Sequence, residues 1–142
     1  MKTKSLLTLA LVTSLTTGCA SQLNSMQKRE YQAFKYDNVL IEEKNPSAGA
    51  ALGILPGGGS FYAREPALGV VNLLLWPLST LWDPVSGYEG AMAINYDITK
   101  QKLLRDKRKE ISMLDDKVTT GELDSIGYVK SKREIERKYD YN

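Results

Sequence analysis

The chain has 142 residues, of which 42% are apolar and 25% charged, a composition that suits one ordinary domain. Its formal net charge is +2, and the residues from 20 onward carry 17 basic and 17 acidic side chains. This balance excludes a strongly basic nucleic-acid-binding protein, so we expect no nucleic-acid partner. The sequence has no histidine and one cysteine, Cys19, which excludes a disulfide within the chain and a thiolate metal cluster. We expect no metal and no other cofactor.

The first residues have the composition of a secretory signal peptide. Two lysines lie among the first four residues, an uncharged apolar stretch follows over 6–15, and Gly18 precedes Cys19. The apolar stretch is too short to span a bilayer. The pattern predicts a signal peptide over residues 1–18 that is removed before Cys19. The alternative is an ordinary signal peptide in which the cysteine occurs by chance.

The sequence around Cys19, which reads Leu-Thr-Thr-Gly-Cys-Ala-Ser over 15–21, resembles the lipobox of bacterial lipoproteins. The resemblance implies that Cys19 is acylated with fatty acids such as palmitate and becomes the mature N-terminus. Several acyl chains, at about 0.8 kcal/mol per buried methylene, hold a protein on a membrane permanently. In this family Ala and Ser after the cysteine imply the periplasmic face of the outer membrane rather than the inner membrane.

Residues 19–45 are polar and mixed in charge, and they predict a tether that follows the lipidated cysteine. Within it, residues 25–35 are compatible with a short helix and residues 36–43 with a short extended segment. The tether ends at Asn45, because a residue that precedes a proline avoids the helical region.

Residues 46–96 predict an apolar hairpin of two short helices, within a mainly α fold. The uncharged runs 46–62 and 66–82 are each 17 residues long, the lower limit for crossing a hydrocarbon core of about 30 Å. Pro46 and Pro66 stand where helices begin, since the missing N–H costs nothing there. Further prolines and glycines interrupt both runs, so neither is a simple span.

The glycines of the first run predict a close helix contact and a turn. Gly49, Gly53 and Gly57 recur every four residues, which places them on one helix face and allows a second helix to approach. A phosphate-binding loop is disfavoured because no Lys-Ser or Lys-Thr pair follows. The predicted hairpin turn consists of Gly57, Gly58, Gly59 and Arg64, with Gly58 and Gly59 adopting the unusual backbone angles.

The stretch 53–65, Gly-Ile-Leu-Pro-Gly-Gly-Gly-Ser-Phe-Tyr-Ala-Arg-Glu, with the apolar run after it, is similar to the two-helix transmembrane hairpin family. Segments 82–88 and 93–96 resemble the tail of small bacterial lipoproteins that carry such a hairpin. The resemblance implies a hairpin that contacts membrane lipid. Trp76, Trp82 and Tyr88 then form an aromatic belt at the interface. The alternative is that these aromatic residues form the core of a small soluble hairpin.

Residues 97–142 predict a charged pair of helices. Leu104, Ile111 and Val118 are seven residues apart with Leu114 between them, which gives an apolar stripe of coiled-coil type. The sequence Thr-Thr-Gly over 119–121 breaks the helix, and Thr120 or Asp124 can cap the next one. The second apolar face consists of Leu123, Ile126, Tyr128, Val129 and Ile135.

The C-terminal pattern resembles the short C-terminal domain called SHOCT, in the order Gly121, Leu123, Asp124, Tyr128, Lys132 and Ile135. This resemblance implies a module for oligomerisation or docking, so we expect a homo-oligomer or an envelope protein partner. The alternative is a pair of ordinary solvated helices. The predicted interaction residues are Leu104, Ile111, Leu114, Val118, Leu123, Tyr128 and Ile135.

Candidate catalytic groups are limited to carboxylates. Asp83, which precedes Pro84, is either a buried acid with a chemical role or the cap of a turn. No serine lies in a Gly-x-Ser-x-Gly elbow, and we expect no catalytic residue and no enzyme. The sequence therefore predicts a membrane-anchored structural or adaptor lipoprotein of the cell envelope. A phage-derived or secretion-system accessory lipoprotein is an alternative, and a carboxylate-dependent cell-wall hydrolase is a disfavoured one.

Overall fold

The structure, a computed structural model, describes residues 22–141. In this part of the chain the regular structure consists of six α-helices and one 3₁₀-helix, with no strand. The prediction of a mainly α fold is confirmed. No helix within residues 22–141 is both long enough and apolar enough to cross a bilayer. The predicted signal peptide and Cys19 lie outside the described residues.

The chain divides into two compact units. Of the described residues, the first unit contains 22–24 and Lys44–Ile94, and the second contains Ser25–Glu43 and 95–141. The 3₁₀-helix is Leu78–Leu81. The α-helices are α1 (Ser25–Tyr36), α2 (Pro46–Leu52), α3 (Gly58–Tyr62), α4 (Pro66–Leu74), α5 (Asp83–Thr119) and α6 (Ser125–Lys138).

Helices α2 and α4 begin where the sequence predicts them to begin, at Pro46 and Pro66. The side chain of Asn45 caps α2, because its Oδ1 accepts a hydrogen bond from the backbone N–H of Ala48 at 3.1 Å. The peptide bond between Trp76 and Pro77 is cis. The 3₁₀-helix follows. Helix α5 then starts at Asp83, directly after Trp82, and so begins well before residue 97, where the sequence predicted the charged helical region to begin.

The predicted hairpin turn is different in detail. Gly57 has a φ of 69° and Arg64 a φ of 63°, so these two residues take the left-handed conformation. Gly58 and Gly59, which were expected to supply the unusual angles, instead begin the short helix α3. The apolar region therefore contains three short α-helices rather than two, because one left-handed residue at each end of α3 is enough to reverse the chain.

The segment predicted as a tether is mostly ordered, and its helix α1 belongs to the second unit. Phe34 of α1 is completely buried and stacks on Tyr96, with ring centroids 5.8 Å apart. Its edge-on contact with Tyr141 has a centroid distance of 5.0 Å. The extended segment expected at 36–43 is not a strand; there the N–H of Ile41 donates to Oγ1 of Thr99 at 2.9 Å.

The helical pair of the second unit breaks at the predicted place. Helix α5 ends at Thr119, and Gly121 has a φ of 77°. Asp124 caps α6, since its Oδ1 accepts from the backbone N–H of Gly127 at 2.8 Å. Of the two caps that the sequence allows, the structure selects Asp124.

Candidate functional site

The centre of the first unit is a buried carboxylate, that of Asp83 at the start of α5. Its Oδ2 accepts from the backbone N–H of Gly59 at 3.0 Å, and its Oδ1 accepts from the backbone N–H of Ser60 at 3.0 Å. The hydroxyl of Ser60 also donates to Oδ1, at 2.5 Å. Asp83 thus binds the first N–H groups of α3, which have no partner within that helix.

Asn72 of α4 extends this network to a third helix. Its Nδ2 donates to Oδ1 of Asp83 at 2.8 Å and to Oγ of Ser60 at 2.9 Å, while its Oδ1 accepts from Nε1 of Trp82 at 2.9 Å. The side chains of Asn72, Ser60 and Asp83 are completely buried. Each polar group in the network has a partner, which is the condition under which a buried polar cluster stabilises and specifies a fold.

This arrangement assigns Asp83 a structural role. The sequence left two alternatives, a buried acid with a chemical role and a turn cap. Asp83 is buried, but its oxygens are occupied by donors from α3 and α4 and are closed to a substrate. Sequence reasoning missed Ser60 and Asn72 as its partners, because they lie 23 and 11 residues away along the chain and follow no local spacing rule. It also missed the hydrogen bond from the Trp82 indole to Asn72, which joins residues 10 positions apart.

Much of the rest of this interior consists of glycine, alanine and backbone, with Leu23 and Met92 as its large buried apolar side chains. A Cβ atom on Gly49 would lie 2.3 Å from the carbonyl oxygen of Gly87, and one on Gly53 would lie 2.3 Å from the nitrogen of Pro84. A Cβ atom on Gly57 would lie 2.2 Å from the carbonyl oxygen of Gly69. The predicted single helix face is wrong, because α2 ends at Leu52, Gly53 follows it and Gly57 precedes α3. Each of the three glycines nevertheless makes a close contact with backbone, the packing that small residues allow.

The surface of the first unit is, by contrast, apolar. Most of the large apolar side chains that are exposed within residues 22–141 belong to this unit. Leu74 is 78% exposed, Leu81 75% and Trp76 52%. The full set is Leu52, Ile54, Leu55, Phe61, Val70, Leu73, Leu74, Leu75, Trp76, Leu78, Leu81, Trp82, Val85 and Tyr88. We call these side chains the apolar surface. A monomeric soluble protein seldom exposes so many of them together, and such surfaces mark binding to a protein or a membrane.

Charge is almost absent from this surface. Between residues 46 and 88 the ionisable acidic and basic side chains are those of Arg64, Glu65 and Asp83. Asp83 is completely buried, so Arg64 and Glu65, in the turn between α3 and α4, are the charges that remain near solvent. Burial raises the pKa of the Glu65 carboxyl. At the entry to α2, the Lys44 ammonium lies 4.5 Å from the ring centroid of Tyr62, whose hydroxyl accepts from the N–H of Asn45 at 2.9 Å.

In the second unit, an ionic and aromatic contact attaches α1 to α5. The Tyr96 hydroxyl donates to Oε2 of Glu30 at 2.8 Å, and the Lys100 ammonium forms an ion pair with the same oxygen. Burial by itself would raise the pKa of the Glu30 carboxyl, but the hydrogen bonds from Lys100 and Tyr96 hold it below its usual value. The same burial and the Glu30 contact raise the pKa of Tyr96.

The predicted interaction residues separate into three classes. Leu114 is buried within the chain; Ile111, Leu123, Tyr128 and Ile135 are half-buried; and Leu104 and Val118 are exposed. Leu114 is therefore part of the core of this unit rather than a free contact surface. The end of α6 is joined to α5 by Glu110, which accepts from Lys138 at 2.6 Å and from the Tyr139 hydroxyl at 2.8 Å.

A groove of about 950 Å³ in the second unit exposes a different pair of apolar residues, Ile126 and Val129. Ile126 is 80% exposed and Val129 47%. Four basic and three acidic side chains surround them, and the lining as a whole consists of Lys107, Ser125, Ile126, Val129, Lys130, Arg133, Glu134, Glu136, Arg137 and Asp140. We call this feature the charged groove. It combines exposed apolar contacts with charge, as protein interaction surfaces do.

Comparison with protein families, with curated proteins and with solved structures finds no match to this chain. The resemblances to the lipobox, to the transmembrane hairpin family and to SHOCT therefore depend only on the sequence motifs quoted above.

Proposed function

We propose that the protein is a non-enzymatic lipoprotein of the cell envelope, anchored through acylated Cys19 on the periplasmic face of the outer membrane, and that its C-terminal helices dock a protein partner or a second copy. The observation that carries the proposal is the difference between the two units. The first exposes an almost uncharged apolar surface, and the second is a charged helical body with a groove. An anchor that faces lipid and a body that faces the periplasm require this difference.

The position of the first unit along the chain supports the anchor. Leu23, which belongs to this unit, is only 6% exposed. It lies four positions after Cys19 in the sequence, so the two are at most about 14 Å apart. Acyl chains on Cys19 therefore keep the first unit within a short distance of the lipid surface, and the hairpin is the part of the chain that meets the membrane.

The charged groove supports docking. Ile126 and Val129 are the exposed apolar residues of α6, and they lie between basic and acidic side chains in one groove. A helix that faced only water would gain nothing from two exposed β-branched residues, which have a lower helix propensity than alanine. The groove therefore fits an apolar segment that is flanked by charged side chains able to pair with the basic and acidic residues of the rim.

The enclosure of Asp83 supports a role without catalysis. The chain has no histidine, and the one acid that the sequence offers as a buried catalytic group is occupied by hydrogen bonds that build the fold. A hydrolase that depends on two carboxylates needs them exposed to a cleft and within several ångströms of each other.

Two measurements test the proposal, one for each half. In bacteria that process lipoproteins, a fatty-acid analogue should label the wild-type protein and not a Cys19→Ser variant, and equal labelling of both would refute the anchor. For docking, a photo-cross-linking amino acid at position 126 should trap an envelope protein or a second copy, whereas the same probe at exposed Lys109 should not. The absence of any product at position 126 would refute the adaptor role.

A further inference from the structure

The first unit has a largely reversed polarity. Most of its buried positions hold small or polar residues, namely glycines, alanines, Ser60, Asn72, Ser79 and Asp83, and its large buried apolar side chains are Leu23 and Met92, whereas its exposed positions hold many leucines and both tryptophans. A protein that folds in water buries large apolar side chains, because their removal from water drives folding. A protein in lipid places small and polar residues inside and apolar residues outside.

The polar network provides hydrogen-bond acceptors for backbone N–H groups that would have no partner in lipid. In hydrocarbon an unpaired N–H group costs several kcal/mol, so each must find a partner within the protein. The N–H groups of Gly59 and Ser60, at the start of α3, donate to Asp83, and that of Gly58 donates to the carbonyl oxygen of Leu55 at 3.0 Å. The indole N–H of Trp82 donates to Asn72. The network thus allows a chain reversal at a depth where water is absent.

The lengths of the helices limit how deep this unit reaches. Helices α2, α3 and α4 have 7, 5 and 9 residues. At 1.5 Å per residue the longest of these three measures about 14 Å, and the part of α5 in this unit, 83–94, measures about 18 Å, against a hydrocarbon core of about 30 Å. None of these segments is long enough to cross both leaflets, so the unit fits a single one.

We propose that the first unit is seated in a single leaflet of the bilayer, with the apolar surface in contact with the acyl chains and the Arg64–Glu65 turn at the headgroups. The choice of leaflet rests on the proposed lipidation of Cys19: because Leu23 is at most about 14 Å from that residue, the unit enters the leaflet that holds the acyl anchor. The occupant of the apolar surface is lipid hydrocarbon. A second copy of the chain is disfavoured as occupant, because the exposed side chains extend over α2 to α5 rather than forming one stripe of the kind that pairs helices.

The test uses the full mature chain with Cys19→Ser, so that no acyl chain contributes to binding. It is mixed with phosphatidylcholine vesicles at an ionic strength of about 1 M, where the Debye length is about 3 Å and charge attraction is screened. The two tryptophans of the sequence, Trp76 and Trp82, both lie in the first unit and report its depth. We expect the chain to bind to the vesicles. Lipids with bromine near the headgroup should quench the tryptophan fluorescence more than lipids with bromine near the terminal methyl group of the acyl chain.

Matched variants locate the contact. Leu74→Glu introduces a charge into the first unit, at a position where the leucine side chain is 78% exposed. Ile126→Glu introduces a charge into the second unit, at a position where the isoleucine side chain is 80% exposed. We expect Leu74→Glu, and likewise Leu81→Glu, to lower the vesicle partition coefficient by about tenfold or more, and Ile126→Glu to leave it unchanged. Because these positions are exposed, far-UV circular dichroism should show unchanged helicity in each variant.

Three results would overturn the inference. The first is a soluble monomer that does not bind to vesicles. The second is a dimer, detected by sedimentation, that the Leu74→Glu substitution dissociates. The third is quenching that is strongest for bromines at the bilayer centre. The labelling of Cys19 is measured separately, so a failure here is distinguishable from a failure of the lipid anchor.

Discussion

The amide of Asn72 donates to the carboxylate of Asp83 at 2.8 Å, and both side chains are completely buried. The two residues belong to α4 and α5, and Ser60 of α3 joins them through its backbone and its hydroxyl. One carboxylate thus connects three helices whose other contacts are largely between glycines and backbone. The stability of the first unit should depend on it more than on any apolar side chain.

Asp83→Asn should destabilise the first unit by about 2–4 kcal/mol. An amide offers one acceptor oxygen where the carboxylate offers two, and its NH₂ group faces donors, so at least one buried N–H of Gly59 or Ser60 loses its partner. Urea unfolding of the Cys19→Ser chain, followed by tryptophan fluorescence, measures this change. Asp97→Asn is the matched control, since Asp97 is an exposed acid on the same helix. Equal midpoints for the two variants would contradict the assignment.

Gly49→Ala should destabilise the same unit by about 1–3 kcal/mol, because the added Cβ meets the carbonyl oxygen of Gly87 at 2.3 Å. The backbone on both sides is helical, so the contact is relieved only if a helix moves. Ser47→Ala in the same helix is exposed and should leave the midpoint unchanged or slightly raised. If alanine at position 49 stabilises the protein, as its helix propensity alone would predict, the close approach of these two backbones is wrong.

The second unit should lose stability in acid through Glu30. The pKa of Glu30 is lowered in the folded state from an ordinary value of 4.5, so its contribution is fully present above about 4.5. It disappears as the pH falls through the lower folded value, because the unfolded chain then binds the proton more readily. The urea midpoints of wild type and Glu30→Gln, measured by circular dichroism, should therefore differ most at neutral pH. They should converge once the pH is below the pKa that Glu30 has in the folded protein. A constant difference between pH 7 and pH 3 would show that the ion pair with Lys100 does not matter.

Leu114→Asp should unfold the pair of α5 and α6 rather than simply separate two copies. Leu114 is 8% exposed within a single chain, so a charge there costs about 3–4 kcal/mol of folding stability and reduces helicity. Lys109→Asp, on the exposed side of α5, should change little. In contrast, Ile126→Asp should preserve helicity and abolish cross-linking in membranes. Association that is lost in Leu114→Asp with full helicity would instead place position 114 in an intermolecular seam.

Local rules predicted the parts of the fold that depend on local chemistry. Pro46 and Pro66 open helices because proline lacks an N–H that the first turn does not need, and Gly121 with Asp124 ends one helix and caps the next. The Gly49 and Gly53 spacing predicted a close helix contact, and both glycines are in contact with backbone.

What the sequence could not predict depends on partners that are distant along the chain. The hydrogen bond from Tyr96 to Glu30 joins residues 66 positions apart, and no periodicity marks the pair. The same is true of Asp83 and Ser60, 23 positions apart. For residues 19–45 the sequence predicted a tether with a short helix over 25–35. The structure has this helix at Ser25–Tyr36, but the polar composition conceals that its Phe34 is buried against Tyr96 and Tyr141.

The intact mass of the protein extracted from the membrane fraction tests the proposed lipoprotein most directly. We predict a chain that begins at Cys19 and carries the added mass of a diacylglyceryl group and an amide-linked fatty acid. A Cys19→Ser variant should lack this added mass. A wild-type chain that begins at another residue, or one that begins at Cys19 without any acyl mass, would contradict the proposal.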